Sequence, residues 1–174
     1  PGARRPGPRA ILSEMESSFK DMWLLSVRSS SKLTFYSSIN HSFKREGYLD
    51  LTSKDARFNL TRLRISAHNL EIERGRYSNI ARDERLCKGC LIIGISSVDD
   101  EGHLLYDCTP LGGLRANLPT AMRKALSMSP GTPDNRRACL RSLFDDANEN
   151  HVNHTILKQL GLFIRDCFKQ REPA

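Results

Sequence analysis

Residues 87–108 read CKGCLIIGISSVDDEGHLLYDC, and the order of potential metal ligands in this stretch decides how the chain is interpreted. Cys87, Cys90, His103 and Cys108 follow the pattern C-x2-C-x12-H-x4-C. A C-x-x-C turn directs two thiolates at one point, and a loop can return an imidazole and a third thiolate to that point. The spacing therefore predicts one tetrahedral zinc ion held by these four side chains.

The four ligands would fill every position around the ion, which leaves none for water or substrate. The pattern therefore indicates a structural zinc site, and such sites stabilise small peptides by about 10–16 kcal/mol near neutral pH. Because three thiolates outweigh the two charges of Zn²⁺, the cluster would be anionic, and nucleic-acid affinity must come from arginines around it. Two alternatives stay open: four unrelated residues, with His103 on a helix surface, or a redox pair at Cys87 and Cys90. The redox alternative requires a strand-helix-strand setting that the surrounding sequence does not predict.

The net charge favours polyanionic partners. The chain has 174 residues and a formal net charge of +7, which suits nucleic acid without requiring it. No apolar run approaches the roughly 20 residues that cross a bilayer, and no secretory signal pattern is present. We therefore expect no membrane partner and an intracellular location, in the nucleus, the cytoplasm or both. Five cysteines are an odd number, and we predict no disulfide framework, which suits a reducing compartment.

The chain opens with Pro-Gly-Ala-Arg-Arg-Pro-Gly-Pro-Arg and has no starting methionine. This composition predicts a linker, and we expect the chain to be a piece of a longer polypeptide. The sequence patterns divide the chain into four parts: a disordered linker at 1–10, a helical linker region at 11–80, a CCHC zinc knuckle at 81–115 and a C-terminal helical region at 116–174.

Apolar residues recur at helical spacing on both sides of the knuckle. They predict helices at about 11–27, 134–146 and 154–170, and an amphipathic stripe at 33–43 that closes near Gly47. A further helix is expected to begin with Thr52 or Ser53 as its N-cap. Its core face comprises Leu60, Leu63, Ala67 and Leu70.

Two short segments are predicted to be non-helical. Residues 70–80 are expected to be extended or irregular, with Gly75 as a turn residue. Residues 91–95 are unusually apolar and are predicted to form a hairpin strand. The predicted fold class is therefore mainly α, with several amphipathic helices flanking a small CCHC zinc knuckle and at most a short β-hairpin.

Three groups of side chains are candidates for contact with nucleic acid. The first is a stripe on the helix that follows Ser53, where Arg57, Arg64 and His68 fall on one face. Arginines one heptad apart on a helix can meet successive phosphates. A plain solvated face, without a ligand, is the alternative interpretation of this stripe.

The second group is Arg74, Arg76 and Tyr77, because guanidinium groups beside an aromatic ring can hold a phosphate backbone and stack a base. Glu71 and Glu73 are near enough to neutralise these arginines, so a structural ion-pair interpretation is equally open. The third group lies on or beside the knuckle, where zinc would hold it on a rigid surface: Arg82, Arg85, Lys88 and Arg115.

The segment after the knuckle is the most one-sidedly basic part of the chain. Between Thr109 and Leu143 the only acidic residue is Asp134. The same segment carries six cationic residues, namely Arg115, Arg123, Lys124, Arg136, Arg137 and Arg141.

Several runs of sequence occur together in one known family. They are Lys32-Leu-x-x-Tyr36, Phe43-Lys-Arg-Glu-x-Tyr-Leu49, and the runs at 63–77, 85–90, 100–115 and 156–164. In combination they span about residues 30–170 and resemble the region around the zinc motif of LINE-type (non-long-terminal-repeat) retrotransposon polyproteins. The combination is fairly specific, whereas each run alone is weak.

The resemblance implies a region C-terminal to a polymerase, built from a helical linker and a zinc knuckle. In this family such a region is associated with gripping template RNA and target DNA during target-primed reverse transcription. RNA, DNA and an upstream polymerase domain are therefore the implied partners, and Cys87, Cys90, His103 and Cys108 are the implied metal ligands. The gap between Cys90 and His103 is longer than in the commonest family pattern, which affects the loop more than the ligands.

The resemblance implies no polymerase or endonuclease activity for this chain. Asp99-Asp100 and Asp145-Asp146 superficially resemble the carboxylate pairs that hold Mg²⁺ in polymerases, but no set of strands is predicted around them. His151 and His154 lack the partnered carboxylates that a nuclease needs. We therefore expect a non-catalytic, zinc-stabilised nucleic-acid-binding module. The alternatives are a structural or protein-interaction helical domain that packs on a polymerase body, or a decayed remnant.

Overall fold

The computed structural model describes residues 7–128, 132–145 and 151–171, and it is mainly α-helical in these ranges. The α-helices are α1 (Pro8–Ser29), α2 (Thr34–Ile39), α3 (Lys54–Arg64), α4 (Glu71–Tyr77), α5 (Lys88–Ile92), α6 (Gly112–Ala116), α7 (Thr120–Ala125), α8 (Pro133–Asp145) and α9 (His151–Arg171). Short 3₁₀ turns occur at Gly47–Asp50, Arg82–Glu84 and Thr109–Leu111, and a π-helical turn spans His103–Asp107. Within the described ranges, strand-like pairing is confined to one antiparallel bridge between Leu86 and Val98. The predicted mainly α class is confirmed for this part of the chain.

The packing of α3 against α9 forms the centre of the molecule. Ser53 caps α3, as predicted, and its hydroxyl accepts a hydrogen bond from the backbone N–H of Ala56 at 3.3 Å. Leu60 on α3 and Leu160 on α9 are fully buried. Gly161 lets the two helices approach, because a Cβ at that position would lie only 2.5 Å from the carbonyl oxygen of Ala56.

The knuckle segment belongs to the same hydrophobic core as the α3–α9 pair. Leu104 and Leu105 in the π-helical turn are fully buried, as are Leu111 after it and Met122 on α7. Helices as short as α5, α6 and α7 are marginal on their own in water, so burial of these side chains must supply most of their stability. The regions predicted separately at 11–80, 81–115 and 116–174 therefore share one continuous core.

The prediction that residues 70–80 are extended or irregular is wrong. They include α4, and Gly75 lies inside this helix rather than in a turn. A Cβ at Gly75 would lie 2.6 Å from Cγ of Arg85, so the glycine leaves space for that side chain to cross the helix. The Arg85 guanidinium then donates hydrogen bonds to the carbonyl oxygens of Ile72 and Ile80. Tertiary packing thus outweighs the low helix propensity of glycine.

The prediction of a hairpin strand at 91–95 is also wrong. Leu91 and Ile92 form the end of α5, and Gly94 adopts a φ of 77° in the turn that follows. Ile92 is 86% exposed, so the apolar character of this segment does not reflect a buried strand. The amphipathic stripe predicted at 33–43 is helical only over α2.

Helix α1 begins at Pro8, so the predicted linker at 1–10 is helical at its end, while residues 1–6 lie outside the described residues. Most of the apolar side chains of α1 are exposed. Trp23 holds its C-terminal half through edge contacts with Tyr36 and Phe43, at centroid distances of 6.3 and 5.4 Å. Among the described helices, none is both long enough and apolar enough to cross a bilayer.

Candidate metal centre and the basic side chains around it

Cys87, Cys90, His103 and Cys108 lie together in the interior. All four are buried, and one ligand atom from each falls within 4.8 Å of the others. The Sγ atom of Cys108 is 4.0 Å from the Sγ atoms of Cys87 and Cys90, and Cys90 Sγ is 3.4 Å from His103 Nε2. Ligand atoms around a tetrahedral zinc ion are about 3.6–3.8 Å apart, given the usual bond lengths. The donor set and its spacing therefore fit one metal ion.

Two helical turns of different pitch place the ligands. Cys87 is the N-cap of α5, and its carbonyl oxygen accepts a hydrogen bond from the N–H of Leu91 at 3.0 Å, which puts Cys90 on the same turn. His103 and Cys108 are five residues apart, and the N–H of Cys108 donates to the carbonyl oxygen of His103 at 2.8 Å. This five-residue bond is the π-helical pattern, which brings both side chains to one face. The x4 gap between His103 and Cys108 thus has a direct structural cause.

Asp99 and Asp100 fix the loop between the two halves of the centre. Asp99 accepts a hydrogen bond from the N–H of Glu71 at 2.9 Å and so holds the start of α4. Asp100 accepts one from the N–H of His103 at 2.9 Å and orients the start of the π-helical turn. Both carboxylates are therefore engaged with backbone. Of the second acidic pair, Asp145 lies 3.2 Å from Lys44 Nζ, while Asp146 and the His151 side chain lie outside the described residues.

Arg171, at the end of α9, closes one side of the sulfur cluster. Its Nη2 donates to Cys108 Sγ at 2.8 Å and to Cys87 Sγ at 3.3 Å, while its Nη1 pairs with the buried Asp99. Burial alone would raise the pKa of the Cys108 thiol, but hydrogen bonds from His103 and Arg171 outweigh it and lower that pKa. Burial raises the pKa of the Cys87 thiol. The guanidinium thus stabilises negative charge on sulfur, which a metal-bound thiolate carries.

Sequence reasoning missed Arg171, although a signal for it exists. Leu160, Ile164 and Cys167 are buried on one face of α9, and steps of four, three and four residues lead from Leu160 to Arg171 on that face. A cation that continues an apolar face at the end of a helix either extends its charged head to solvent or meets an anionic partner at the edge of the core. The sequence does not identify that partner, because the nearest cluster sulfur lies 63 positions earlier in the chain.

The stripe on α3 does not form an exposed face. Arg64 is 1% exposed and its Nη2 lies 2.8 Å from the Glu46 carboxylate, while its guanidinium stacks 3.9 Å from the ring centroid of Phe144. Arg57 is half-buried and donates to the carbonyl oxygen of Leu51. The expectation that this face is exposed is therefore wrong. In the structure the face packs towards the 3₁₀ turn at Gly47–Asp50 and towards α8.

His68, the last member of that stripe, is also buried. Its Nε2 lies 3.0 Å from Glu101 Oε1, and Ser66 donates to the same carboxylate. Burial would raise the pKa of Glu101, but the hydrogen bond and charge of His68 and the Ser66 hydroxyl lower it. This network joins the loop after α3 to Glu101, which lies two positions before the candidate ligand His103. Neither Arg64 nor His68 reaches solvent in this structure.

The cations predicted near α4 and the knuckle lie at or close to the surface, and most of them have acidic partners. Arg76 Nη2 is 2.9 Å from Glu73, and its guanidinium also covers one face of the exposed Tyr77 ring. Glu71 pairs with Lys88 at 3.0 Å and with Arg74 at 3.7 Å. These distances agree with the alternative interpretation of this segment, in which Glu71 and Glu73 form ion pairs with the neighbouring cations.

Arg82, Arg85 and Arg115 differ in how they are held. Arg82 is exposed and lies 3.7 Å from Asp100, which is a loose ion pair. Arg85 is engaged by the carbonyl oxygens around α4. Arg115 donates to the carbonyl oxygens of Leu104, at 3.4 Å, and of Cys108. Carbonyl oxygens carry no formal charge, so Arg85 and Arg115 keep their full positive charge.

No family model, no curated protein and no solved structure matches this chain. What its site can do chemically must therefore be read from the residues. Four protein ligands would complete the tetrahedral coordination shell of a bound metal ion, which suits a metal that stabilises structure. The cysteine outside both the cluster and the α9 core, Cys139, is half-buried on α8.

Proposed function

We propose that this chain is a zinc-stabilised module that binds RNA or DNA and has no catalytic activity of its own. The observation that carries the proposal is the buried cluster of Cys87, Cys90, His103 and Cys108. Three soft thiolates with one imidazole favour Zn²⁺ over the hard cations Mg²⁺ and Ca²⁺. The resemblance to the C-terminal region of LINE-type retrotransposon polyproteins supports the same assignment and suggests an upstream polymerase domain as a partner.

The role of the zinc ion would be to join two segments of the chain, to which Arg171 adds a third. The ligands come from the start of α5 and from the π-helical turn, and Arg171 connects the ligand sulfurs to the end of α9. The ion supplies only Lewis-acid attraction for these thiolates and the imidazole. The protein's own residues do the rest: Asp100 orients His103, and Arg171 offsets the excess negative charge of the thiolates.

Nucleic acid is the ligand that best suits the charge of the chain. Its formal net charge is +7, and several of its cations, such as Arg82, Arg123 and Lys124, are exposed. Binding through such groups goes mainly to phosphates, so it is weakly sequence-specific and depends steeply on salt. We expect RNA and DNA single strands to bind, with partners chosen by backbone charge rather than by base identity.

The test of the proposal has a metal arm and a ligand arm. Elemental analysis of the purified protein should give close to one zinc per chain. Fluorescence anisotropy with labelled single-stranded RNA should give a log affinity that falls linearly with log salt concentration. Less than one metal per chain would contradict the zinc site, and an affinity that does not respond to salt would contradict phosphate binding.

A second candidate function is that of a protein-interaction domain. The observation in its favour is the apolar face of α1, where Leu12, Met15, Phe19 and Met22 are exposed at a-and-d spacing. In that case the helix would pack on a polymerase body. Co-purification with an upstream polymerase domain, lost on Met15→Glu and Met22→Glu substitution, would favour this function, particularly if RNA did not bind.

A further inference from the structure

An open cavity of about 560 Å³ lies between the π-helical turn, α6 and α7. Its cationic residues are Arg115, Arg123 and Lys124, and none of its lining residues is acidic. Tyr106, which also lines it, belongs to the π-helical turn that carries His103. This volume falls in the usual range for ligand pockets, and a cleft lined by charge of one sign attracts ions of the opposite sign.

The cations of this cavity lack the acidic partners that the cations beside α4 have. Among the described residues, no ion pair involves Arg115, Arg123 or Lys124. Arg123 is exposed and is held only weakly, since its Nη2 lies 3.5 Å from the Thr120 hydroxyl. Lys124 is exposed on the next position of α7. These two side chains can therefore turn towards an anion without first breaking an ion pair.

The cations beside α4 differ from those of the cavity. Lys88 and Arg74 share the carboxylate of Glu71, and Arg76 pairs with Glu73. A phosphate would have to compete with these carboxylates, and it would gain less because the local net charge is already close to zero. The cavity on α6 and α7 requires no such competition, so it attracts phosphate more strongly per cation.

We propose that the cavity formed by Arg115, Arg123 and Lys124 binds the phosphodiester backbone of nucleic acid and is the main phosphate contact of the chain. This inference rests on the proposed function and assigns its ligand to a specific surface. Arg115 is the fixed member, because the carbonyl oxygens of Leu104 and Cys108 hold its guanidinium. Cys108 belongs to the metal centre, so a metal-stabilised backbone would hold one wall of the cavity in place.

The experiment compares two double variants that remove the same charge. Arg123→Gln with Lys124→Gln removes two cations from the cavity, and Arg74→Gln with Lys88→Gln removes two from the surface beside α4. All four side chains are exposed, so both proteins should fold and retain zinc, which circular dichroism and metal analysis check. Each protein is titrated across salt concentrations with single-stranded RNA, single-stranded DNA, duplex DNA and vesicles that contain phosphatidylserine.

We expect the cavity variant to bind single strands about tenfold more weakly, with a salt slope shallower by about 1.4, because each lost phosphate contact removes about 0.7. The variant beside α4 should lose less than about threefold, since its cations are already paired. Equal losses in both variants, or no loss in the cavity variant, would overturn the assignment while the proposed function stands. Failure of the unsubstituted protein to bind any nucleic acid, with or without vesicle binding, would overturn both. The RNA, DNA and duplex arms show which form of the phosphodiester backbone binds best.

Discussion

The guanidinium of Arg171 donates a hydrogen bond to the sulfur of Cys108, 63 positions away, and thereby joins the end of α9 to the candidate metal centre. The same guanidinium contacts Cys87 and pairs with Asp99, so it connects two sulfurs of the cluster to a buried carboxylate. Burial disfavours the charged form of Arg171, but Asp99 and Cys108 outweigh it and raise its pKa above the usual range. The C-terminal helix and the metal centre are therefore coupled through one cation.

Arg171→Gln should weaken zinc binding about tenfold or more. The substitution removes the positive charge that stabilises the thiolates of Cys87 and Cys108, and loss of a residue that supports metal ligands typically costs about 10–100-fold in affinity. Competition with a chromophoric chelator measures the change. Arg165→Gln is the matched control, because Arg165 lies on the same helix and pairs with Asp166 away from the sulfurs. If the two variants bound zinc with equal affinity, Arg171 would have no specific role in zinc binding.

Cys108→Ser should abolish stable metal binding and lower the melting temperature of the protein. The hydroxyl is a far weaker zinc ligand than a thiolate, and the energy of metal binding is also folding energy in sites of this kind. Thermal melts with and without a chelator measure the effect: the chelator should lower the melting temperature of the unsubstituted protein and leave the variant unchanged. Cys139→Ser serves as the control, because Cys139 lies outside the cluster. A chelator that leaves the unsubstituted protein unaffected would contradict a structural metal.

How far the sequence predicts the structure depends on how local each feature is. The cap at Ser53 and the gathering of Cys87, Cys90, His103 and Cys108 follow from short spacings, and the structure has both. The helical state of α4 was missed because Gly75 resembles a turn residue in the sequence, whereas in the structure it leaves room for the Arg85 side chain to cross the helix.

Charged residues were the least predictable part of the site. A regular stripe of Arg57, Arg64 and His68 is typical of a solvated helix face, and only the fold places Glu46 and Phe144 against Arg64. Arg171 was missed for the same reason, since its partners are distant in sequence. Burial of a cation depends on where its counter-ion lies, and the spacing of cations along one helix carries no information about that position.

Gly161→Ala should destabilise the fold by about 1–3 kcal/mol, although alanine is the better helix former. The added methyl group would lie 2.5 Å from the carbonyl oxygen and 2.6 Å from the Cα of Ala56, and backbone atoms cannot move aside as a side chain can. Urea unfolding measures the change. Gly113→Ala on α6 is the control, since no atom lies within 4 Å of the added methyl group there, and it should be neutral or stabilising. If both substitutions stabilised the protein, α3 and α9 would not be in close contact.

Arg64→Ala should destabilise the protein by about 3–5 kcal/mol, because it removes the cationic partner of the mostly buried Glu46 carboxylate and opens a cavity beside Phe144. Arg74→Ala, which removes an exposed cation of the same kind, should change the free energy of unfolding by less than about 0.5 kcal/mol. Urea unfolding of both variants separates the roles of the two arginines. If Arg64→Ala left the free energy of unfolding unchanged and lowered only the affinity for RNA, Arg64 would be a nucleic-acid contact. That result would contradict its buried position between α3 and α8.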